Sequence, residues 1–303
     1  MFEKLKITIT SRGRYKQYPT TLKYIHETFY PYIDFYCYES ELKQYQQIIN
    51  KYTNKLKVKP YPKSLANLTE VRKWLIHTSD KPYLIFIDDD LDLYTRLKPT
   101  KTNEITVSGY YIFSDKWFDE QTIYENQLQM FKWFETTLQQ PDIGACGLAL
   151  RTTGYHLTQK LGEKQPEQCV KYNTRVTQFF GIALNKWQLT NSDFEGIILK
   201  QDFYIALQFL THCYKTVMNY YWVFSDTTKA DDKTGCNIYR TKELYNQQVE
   251  YFHKLYPNFT SIETKQAKLW QTKFNDTVYE LKVNWQKAYD ECNKKQRSIK
   301  TLF

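Results

Sequence analysis

Tyr83-Leu-Ile-Phe-Ile-Asp-Asp-Asp-Leu-Asp92 decides how the rest of the chain is read. Its first five residues are a continuous apolar run introduced by Lys81-Pro82, the pattern of a strand buried on both faces. Carboxylates crowded at the end of such a strand repel one another unless a cation or basic groups neutralise them. A hard divalent ion suits such a cluster. Residues two apart on an extended segment share a face, so Asp88 and Asp90 are the expected ligands of Mn²⁺ or Mg²⁺, which would complete its shell with waters and substrate phosphates. The competing reading is a solvated acidic turn.

Toward the N-terminus the pattern alternates. Lys4 to Thr10 reads as a first strand running into the breaker Ser11-Arg12-Gly13-Arg14, Pro19 to Tyr30 as a helix, Ile33 to Tyr38 as a strand, Glu41 to Tyr52 as a helix and Leu56 to Val58 as a short strand. Leu68, Val71, Leu75 and Ile76 mark one face of a helix over Leu65 to Thr78. This βαβ rhythm predicts a Rossmann-like α/β sheet flanked by helices, with ligands at the C-terminal strand ends, where the acids sit. Toward the C-terminus, Gln121 to Leu138 reads as a helix, Gly144 to Leu150 as a strand whose small residues imply close approach, Thr153 to Tyr172 as a mobile loop, Arg175 to Leu184 and Tyr214 to Phe224 as strands, and the chain from Thr241 as helices broken at Tyr256-Pro257-Asn258. The expected organisation is a catalytic domain over 1–260, with a nucleotide half to about residue 100 and an acceptor half beyond it, followed by a helical extension over 261–303.

The 303 residues contain no apolar run long enough to cross a membrane or to serve as a secretory signal, so a cytoplasmic protein is expected, and a monomer is the expected assembly. Cys37, Cys146, Cys169, Cys213, Cys236 and Cys292 form no CxxC pair, which argues against structural zinc and for mostly reduced thiols. A net charge of +9 with 27 tyrosines and 18 phenylalanines is compatible with a polyanionic partner, although an AT-rich genome gives the same composition.

Ser11, Arg12 and Arg14 stand where an α/β sheet usually receives a nucleotide, and Glu39 at the end of the second strand is placed to accept hydrogen bonds from a base or ribose. Arg72 is read either as a ligand of diphosphate oxygens and brace for the acids, or as an ordinary helix cation; Arg96 invites the same pairing argument with Asp92. Asp202, opening a helical stretch after Gln201, is either a cap or a general base, with Asp226, Asp231 and Asp232 as competitors for base or metal. Neither familiar glycine-rich phosphate loop is present, and the five histidines have no spacing that suggests catalysis.

Ile7 to Arg14, Glu39-Ser-Glu41, Leu68 to Arg72 and Leu84 to Leu91, in that order, resemble a GT-A glycosyltransferase. More narrowly, Arg72, the Asp88-Asp-Asp-Leu91 strand end, Gly235-Cys-Asn-Ile-Tyr-Arg240 and Tyr256-Pro-Asn-Phe259 resemble the phage and kinetoplastid glycosyltransferases associated with the TET/JBP oxygenases, which glucosylate hydroxymethylated pyrimidines in DNA. The resemblance implies a UDP-sugar donor, UDP-glucose first. Ser11, Arg12, Arg14, Glu39, Arg72, Asp88 and Asp89 would bind that donor, with Arg12 and Arg72 near the diphosphate and Glu39 near the uridine. Asp88 and Asp90 would hold the metal and Asp202 would be the base of an inverting transfer to 5-hydroxymethyluracil or 5-hydroxymethylcytosine. This sequence has Gln201-Asp202 where the fold's motif has Glu-Asp. A flipped base would need cationic grips and an aromatic wedge, for which Lys98 to Lys101, Tyr110-Tyr111, Lys116-Trp117 and Arg151 to Tyr155 are the candidates.

Overall fold

The computed structural model describes residues 2–162, 164–226, 234–266 and 277–300. The first strand, β1 (Leu5–Ser11), pairs in parallel with β2 (Ile33–Tyr38) on one side and with β4 (Tyr83–Asp88) on the other, and β3 (Lys57–Tyr61) extends that edge in parallel from β2. Leu84, Ile85, Phe86 and Ile87 are all buried, as a strand covered on both faces requires. Polar Thr8 is tolerated in the interior of β1 because its hydroxyl donates to the Ile85 carbonyl across 2.7 Å.

The second half of the chain adds β5 (Leu91–Thr95), β6 (Tyr111–Ile112), β7 (Ile143–Leu150), β8 (Val170–Tyr172), β9 (Phe179–Ala183) and β10 (Lys215–Asp226). Among the described residues the sheet has ten strands, ordered β3-β2-β1-β4-β9-β7-β10-β5-β6, with β8 paired to β10. It is mixed: β9 runs antiparallel to both β4 and β7, and β10 is parallel to β7 but antiparallel to β5.

Helices cover both faces. On one lie α1 (Leu42–Asn50) and α3 (Glu120–Gln139), whose Tyr45, Ile49, Phe131 and Phe134 join the core with β1 and β2. On the other lie α2 (Leu68–Thr78), α6 (Gln201–Thr211) and α7 (Lys242–Leu255), burying Leu75, Ile205, Phe209 and Phe252. A Cβ on Gly144 would stand 2.1 Å from the Phe209 ring, so the small residues of β7 do mark close approach of a helix. The fold class expected from the βαβ rhythm is the one observed.

Several local expectations are corrected. Pro19 to Tyr30 is not a helix but two 3₁₀ turns, Thr20–Lys23 and Glu27–Tyr32, because Thr21 is committed to the acidic turn. Its hydroxyl donates to the Asp88 carbonyl (2.6 Å) and accepts from the Leu91 amide (2.9 Å), and its amide donates to the Asp89 carbonyl (3.1 Å). Thr153 to Tyr172 is not a loop throughout: α4 (Arg151–Leu161) occupies much of it and β8 ends it. Only Gly154, Leu157 and Thr158 of α4 are buried, too few to leave an apolar period in the sequence. A short α5 (Leu184–Gln188) follows β9.

The extension ends in a helix, α8 (Trp285–Lys300), but a hairpin of β11 (Thr260–Gln266) and β12 (Thr277–Val283) precedes it. The hairpin forms because Ile262, Val278 and Leu281 have an apolar bed to cover on α7. Cys213 and Cys292 are joined in a disulfide that ties the end of α6 to α8, whereas Cys37, Cys146, Cys169 and Cys236 are free thiols. Among the described residues no helix is long and apolar enough to cross a membrane.

Three of the aromatic wedge candidates are corrected too. Tyr110, Tyr111 and Trp117 are buried, and Tyr110 is fixed by a hydrogen bond to the Tyr220 carbonyl, so none is available to fill a gap in a duplex.

Candidate active site

The acids come together because β4 ends where the sheet's C-terminal edge opens. Asp88 is its last residue, Asp89 and Asp90 make the turn, and Leu91 starts β5. Three cationic or hydroxylic side chains from the neighbouring elements neutralise them. Ser11, ending β1, hydrogen bonds to Asp89 and lies 2.5 Å from the Tyr45 hydroxyl. Arg14 places Nη1 2.5 Å from Oδ1 of Asp89 and Nη2 2.9 Å from Oδ2 of Asp90. Its amide donates to the Tyr45 hydroxyl. Arg72 reaches up from α2, is 2 % exposed, and donates through Nη2 to Oδ1 of Asp88 across 3.1 Å. Its guanidinium lies 5.6 Å from the Phe86 ring and 5.1 Å from the Phe180 ring, and its Nε has no hydrogen-bond partner among the described residues. Of the two readings of Arg72, the ordinary exposed helix cation is excluded.

Even so, two of these acids hold their protons more firmly than an ordinary carboxylate. Burial first, and then the charge of Asp89 and Asp226, push Asp88 above the ordinary carboxylate value against the pull of Arg72. Asp90 is raised by the same causes, with Arg14 opposing. Asp226 ends β10 beside Leu91 in the antiparallel ladder and accepts from Gln178 Nε2 at 2.9 Å. Asp231 and Asp232 lie outside the described residues.

These groups line a cavity of about 860 Å³ that also contains Arg12, Tyr61, Asn67, Arg175, Thr177, Lys200, Asp202, Gly235, Cys236, Tyr239, Arg240 and Glu280. Arg12 donates to the Ala66 carbonyl (2.7 Å) and stacks 4.3 Å above the Tyr38 ring. Asp202, in the first turn of α6, is buried and accepts from Arg175 Nε across 2.6 Å. Burial would raise its pKa, but the charges of Arg175 and Arg72 and hydrogen bonds from Arg175 and Thr177 outweigh burial and hold it below the ordinary value. It is therefore an ionised carboxylate facing the same space as the acidic turn.

Glu39 is not part of this cavity. It is exposed and accepts from the Lys63 amide at 3.3 Å, while Glu41, two residues on, accepts from the Gly13 amide at 2.9 Å and braces the loop after β1. Asp92 and Arg96 do not pair within the cavity either: Asp92 accepts from the Tyr94 hydroxyl, and Arg96 stacks on Tyr110. Sequence reasoning gave no role to Arg175, Lys200 or Glu280. They come from three separate stretches, and no local spacing announces them. Arg240 belongs to a stretch the resemblance singled out, and Gly235, Cys236, Asn237 and Tyr239 of that stretch line the cavity with it.

No protein-family model matches the sequence, and no curated protein matches it. Solved structures do match. The mannosyltransferase PcManGT from Pyrobaculum calidifontis, in complex with GDP-Man and Mn²⁺, superposes with a TM-score of 0.51 at 10 % identity over 84 % of this chain and 64 % of that one. Staphylococcus aureus TarS 1–349 gives a TM-score of 0.44 at 10 % identity over 82 % of this chain and 65 % of that one. Glucosyl-3-phosphoglycerate synthase from Mycobacterium tuberculosis, in complex with Mn²⁺, UDP and phosphoglyceric acid, gives 0.44 at 10 % identity over 92 % and 86 %. This chain thus spans less than two thirds of the length of the first two. The superposition on the mannosyltransferase establishes the architecture: a mixed α/β sheet of the GT-A type.

Proposed function

We propose that the protein is a metal-dependent glycosyltransferase that moves a sugar from a nucleoside diphosphate sugar, UDP-glucose first among candidates, to an acceptor hydroxyl. One observation carries the reading: crowded carboxylates at the end of β4, with pKa values raised by burial and by one another, and an ionised, buried carboxylate on α6 face one cavity of about 860 Å³. The donor set fits a hard cation, because Asp88, Asp90 and Asp226 are oxygen ligands whose mutual repulsion a divalent ion would relieve. Asp88 and Asp90 would hold Mn²⁺ or Mg²⁺, which when bound offsets charge on the departing diphosphate. Arg12, Arg14 and Arg72 surround the donor's diphosphate, with Ser11 and Asp89 fixing Arg14 in place. Asp202 takes the proton of the acceptor hydroxyl as that oxygen attacks the anomeric carbon and the diphosphate leaves, an in-line displacement with inversion.

For the acceptor we carry forward a hydroxymethylated pyrimidine in DNA. The narrower sequence resemblance supports it, since Gly235 to Arg240 reaches the cavity, and so does the net charge of +9. Incubating the protein with UDP-glucose, Mn²⁺ and duplexes containing 5-hydroxymethyluracil or 5-hydroxymethylcytosine, then digesting to nucleosides for mass spectrometry, tests both levels. A hexose on either base supports the full reading. Hydrolysis of UDP-glucose without transfer retains the donor half and moves the acceptor to a polysaccharide, lipid-linked or protein hydroxyl. Neither binding nor turnover of any nucleotide sugar in the presence of metal overturns the reading.

A further inference from the structure

A second pocket, of about 840 Å³, is lined by residues of the two 3₁₀ turns after β1 and of the C-terminal end of α1, and it shares no lining residue with the cavity at the acidic turn. Its volume is that of a small-molecule site. Its apolar lining is Leu22 and Ile25, both buried, and the half-buried Ile48. Its aromatic lining is Tyr18, Tyr30 and Tyr52.

The tyrosines are not equivalent. Tyr18 and Tyr30 are buried, and the Tyr30 hydroxyl donates to the Leu22 carbonyl across 2.7 Å. Having given up its one proton, that hydroxyl can only accept from the Tyr18 hydroxyl 3.2 Å away. The Tyr18 oxygen therefore keeps a lone pair for a ligand's N–H or O–H. Tyr52 is 66 % exposed, although its ring lies 4.3 Å from that of Tyr18, tilted by 41°. A large ring held against a buried one and still open to solvent is a stacking surface.

The charge around these rings has one sign. Lys16, Lys23 and Lys51 line the pocket, all three are exposed, and among the described residues none of them pairs with a carboxylate. Glu27 is the one carboxylate in the lining, and it is already engaged by Lys55, whose ammonium lies 2.7 Å from Oε1. Aromatic faces beside ammonium groups match a ligand that carries both a flat ring and an anion. Three aliphatic side chains are too few to sheath an acyl chain, and a sulfated sugar would satisfy the lysines but has no flat ring to lay on Tyr52.

We propose that this pocket is a second binding site, for a nucleotide, with the base stacked on Tyr52 and the phosphate held among Lys16, Lys23 and Lys51. The site goes beyond the transfer reading and does not depend on it. A free mononucleotide and a nucleotide within a single strand share the recognised chemistry.

The test titrates the full chain, by calorimetry, with adenosine 5′-monophosphate and with a short single-stranded deoxyoligonucleotide, and uses dextran sulfate as a polyanion without bases. Binding of at least one nucleotide probe is expected, weakened about tenfold by Tyr52→Ala and retained by Tyr52→Trp. The triple substitution Lys16→Gln, Lys23→Gln and Lys51→Gln is also expected to weaken it about tenfold and to flatten its dependence on salt. All four side chains are exposed, so the melting temperature should be unchanged, which verifies the fold. None of the four belongs to the other cavity, so their effect assigns the binding to this pocket even where a probe also enters at the acidic turn. Tighter binding of the monophosphate identifies a free nucleotide as the ligand, and tighter binding of the oligonucleotide identifies a strand. No binding of either nucleotide probe at millimolar concentration, binding that Tyr52→Ala or the triple substitution leaves unchanged, or dextran sulfate binding that responds to Tyr52→Ala as the nucleotides do, overturns the proposal.

Discussion

Arg175 Nε donates to Oδ2 of Asp202 across 2.6 Å, and in the proposed transfer this contact would decide what kind of base Asp202 is. A carboxylate held below its ordinary pKa is a poor sink for protons in isolation, but it is fully ionised at neutral pH and ready to accept one in a transition state. Asp202→Asn keeps the shape of the side chain and loses the basicity. It is expected to lower kcat by about 100-fold or more while sparing UDP binding. Transfer that survives this substitution would move the base to Asp226, Asp231 or Asp232.

The same contact gives a pH profile. Because Arg175 and Arg72 depress Asp202, the acid limb of kcat/KM is expected below the ordinary carboxylate range. Arg175→Met removes the stronger of the two charges, so the limb should move to higher pH, as read by transfer rates across a series of buffers. A limb that stays in place argues that Asp202 is not the titrating group.

At the acidic turn the sign is opposite. Asp88 and Asp90 are raised in the folded protein, by burial first, so they hold their protons more firmly there than in the unfolded chain. Their contribution favours the folded state below the unfolded carboxylate pKa and is lost as pH rises through the raised values. In EDTA the thermal midpoint should therefore fall as pH is taken upward from the ordinary carboxylate range. Mn²⁺ should flatten that fall and raise the midpoint, since it binds the ionised form. Asp90→Ala should remove the Mn²⁺ effect and metal-dependent donor use together.

Arg72 and Asp88 form a pair that can be tested by a double-mutant cycle. Arg72 is 2 % exposed, so Arg72→Met leaves a carboxylate without its main counter-charge and is expected to cost about 3 kcal/mol in urea unfolding. Asp88→Asn in the same chain should recover much of that loss. Additive costs would show that the two side chains act independently.

Cys213 and Cys292 are 79 residues apart in sequence and close a loop that contains β10, α7 and the hairpin. Cys292→Ser is expected to lower stability by about 2–4 kcal/mol relative to the oxidised protein, and to match the wild type under reducing conditions. Equal melting of wild type and variant without reductant would mean the bond does not form in solution.

The parts legible in the sequence were those governed by short-range regularity. Tyr83 to Ile87 had to be a buried strand, and acids at its end had to meet cations, whatever the rest of the chain did. The 3₁₀ turns around Thr21 were not legible, because the apolar content of Pro19 to Tyr30 resembles a helix until Thr21 is seen bonded to the acidic turn. Glu39 and Glu41 differ by two positions, and only the direction of the chain after β2 tells which one meets the loop at Gly13. Arg175, Lys200 and Glu280 were hidden for a different reason: each is one ordinary charged residue in its own stretch, and only the folding together of the segment before β9, the start of α6 and the C-terminal hairpin makes them neighbours.

The place of β9 in the sheet has a mechanical consequence. Because β9 is hydrogen bonded to β4 on one side and β7 on the other, the strand that carries the acids and the strands of the second half are stitched into one ladder. A clamshell rotation of one half against the other would have to tear backbone hydrogen bonds out of the middle of the sheet. A ligand of the cavity would therefore enter past the connecting segments at its rim rather than through a hinge between the halves.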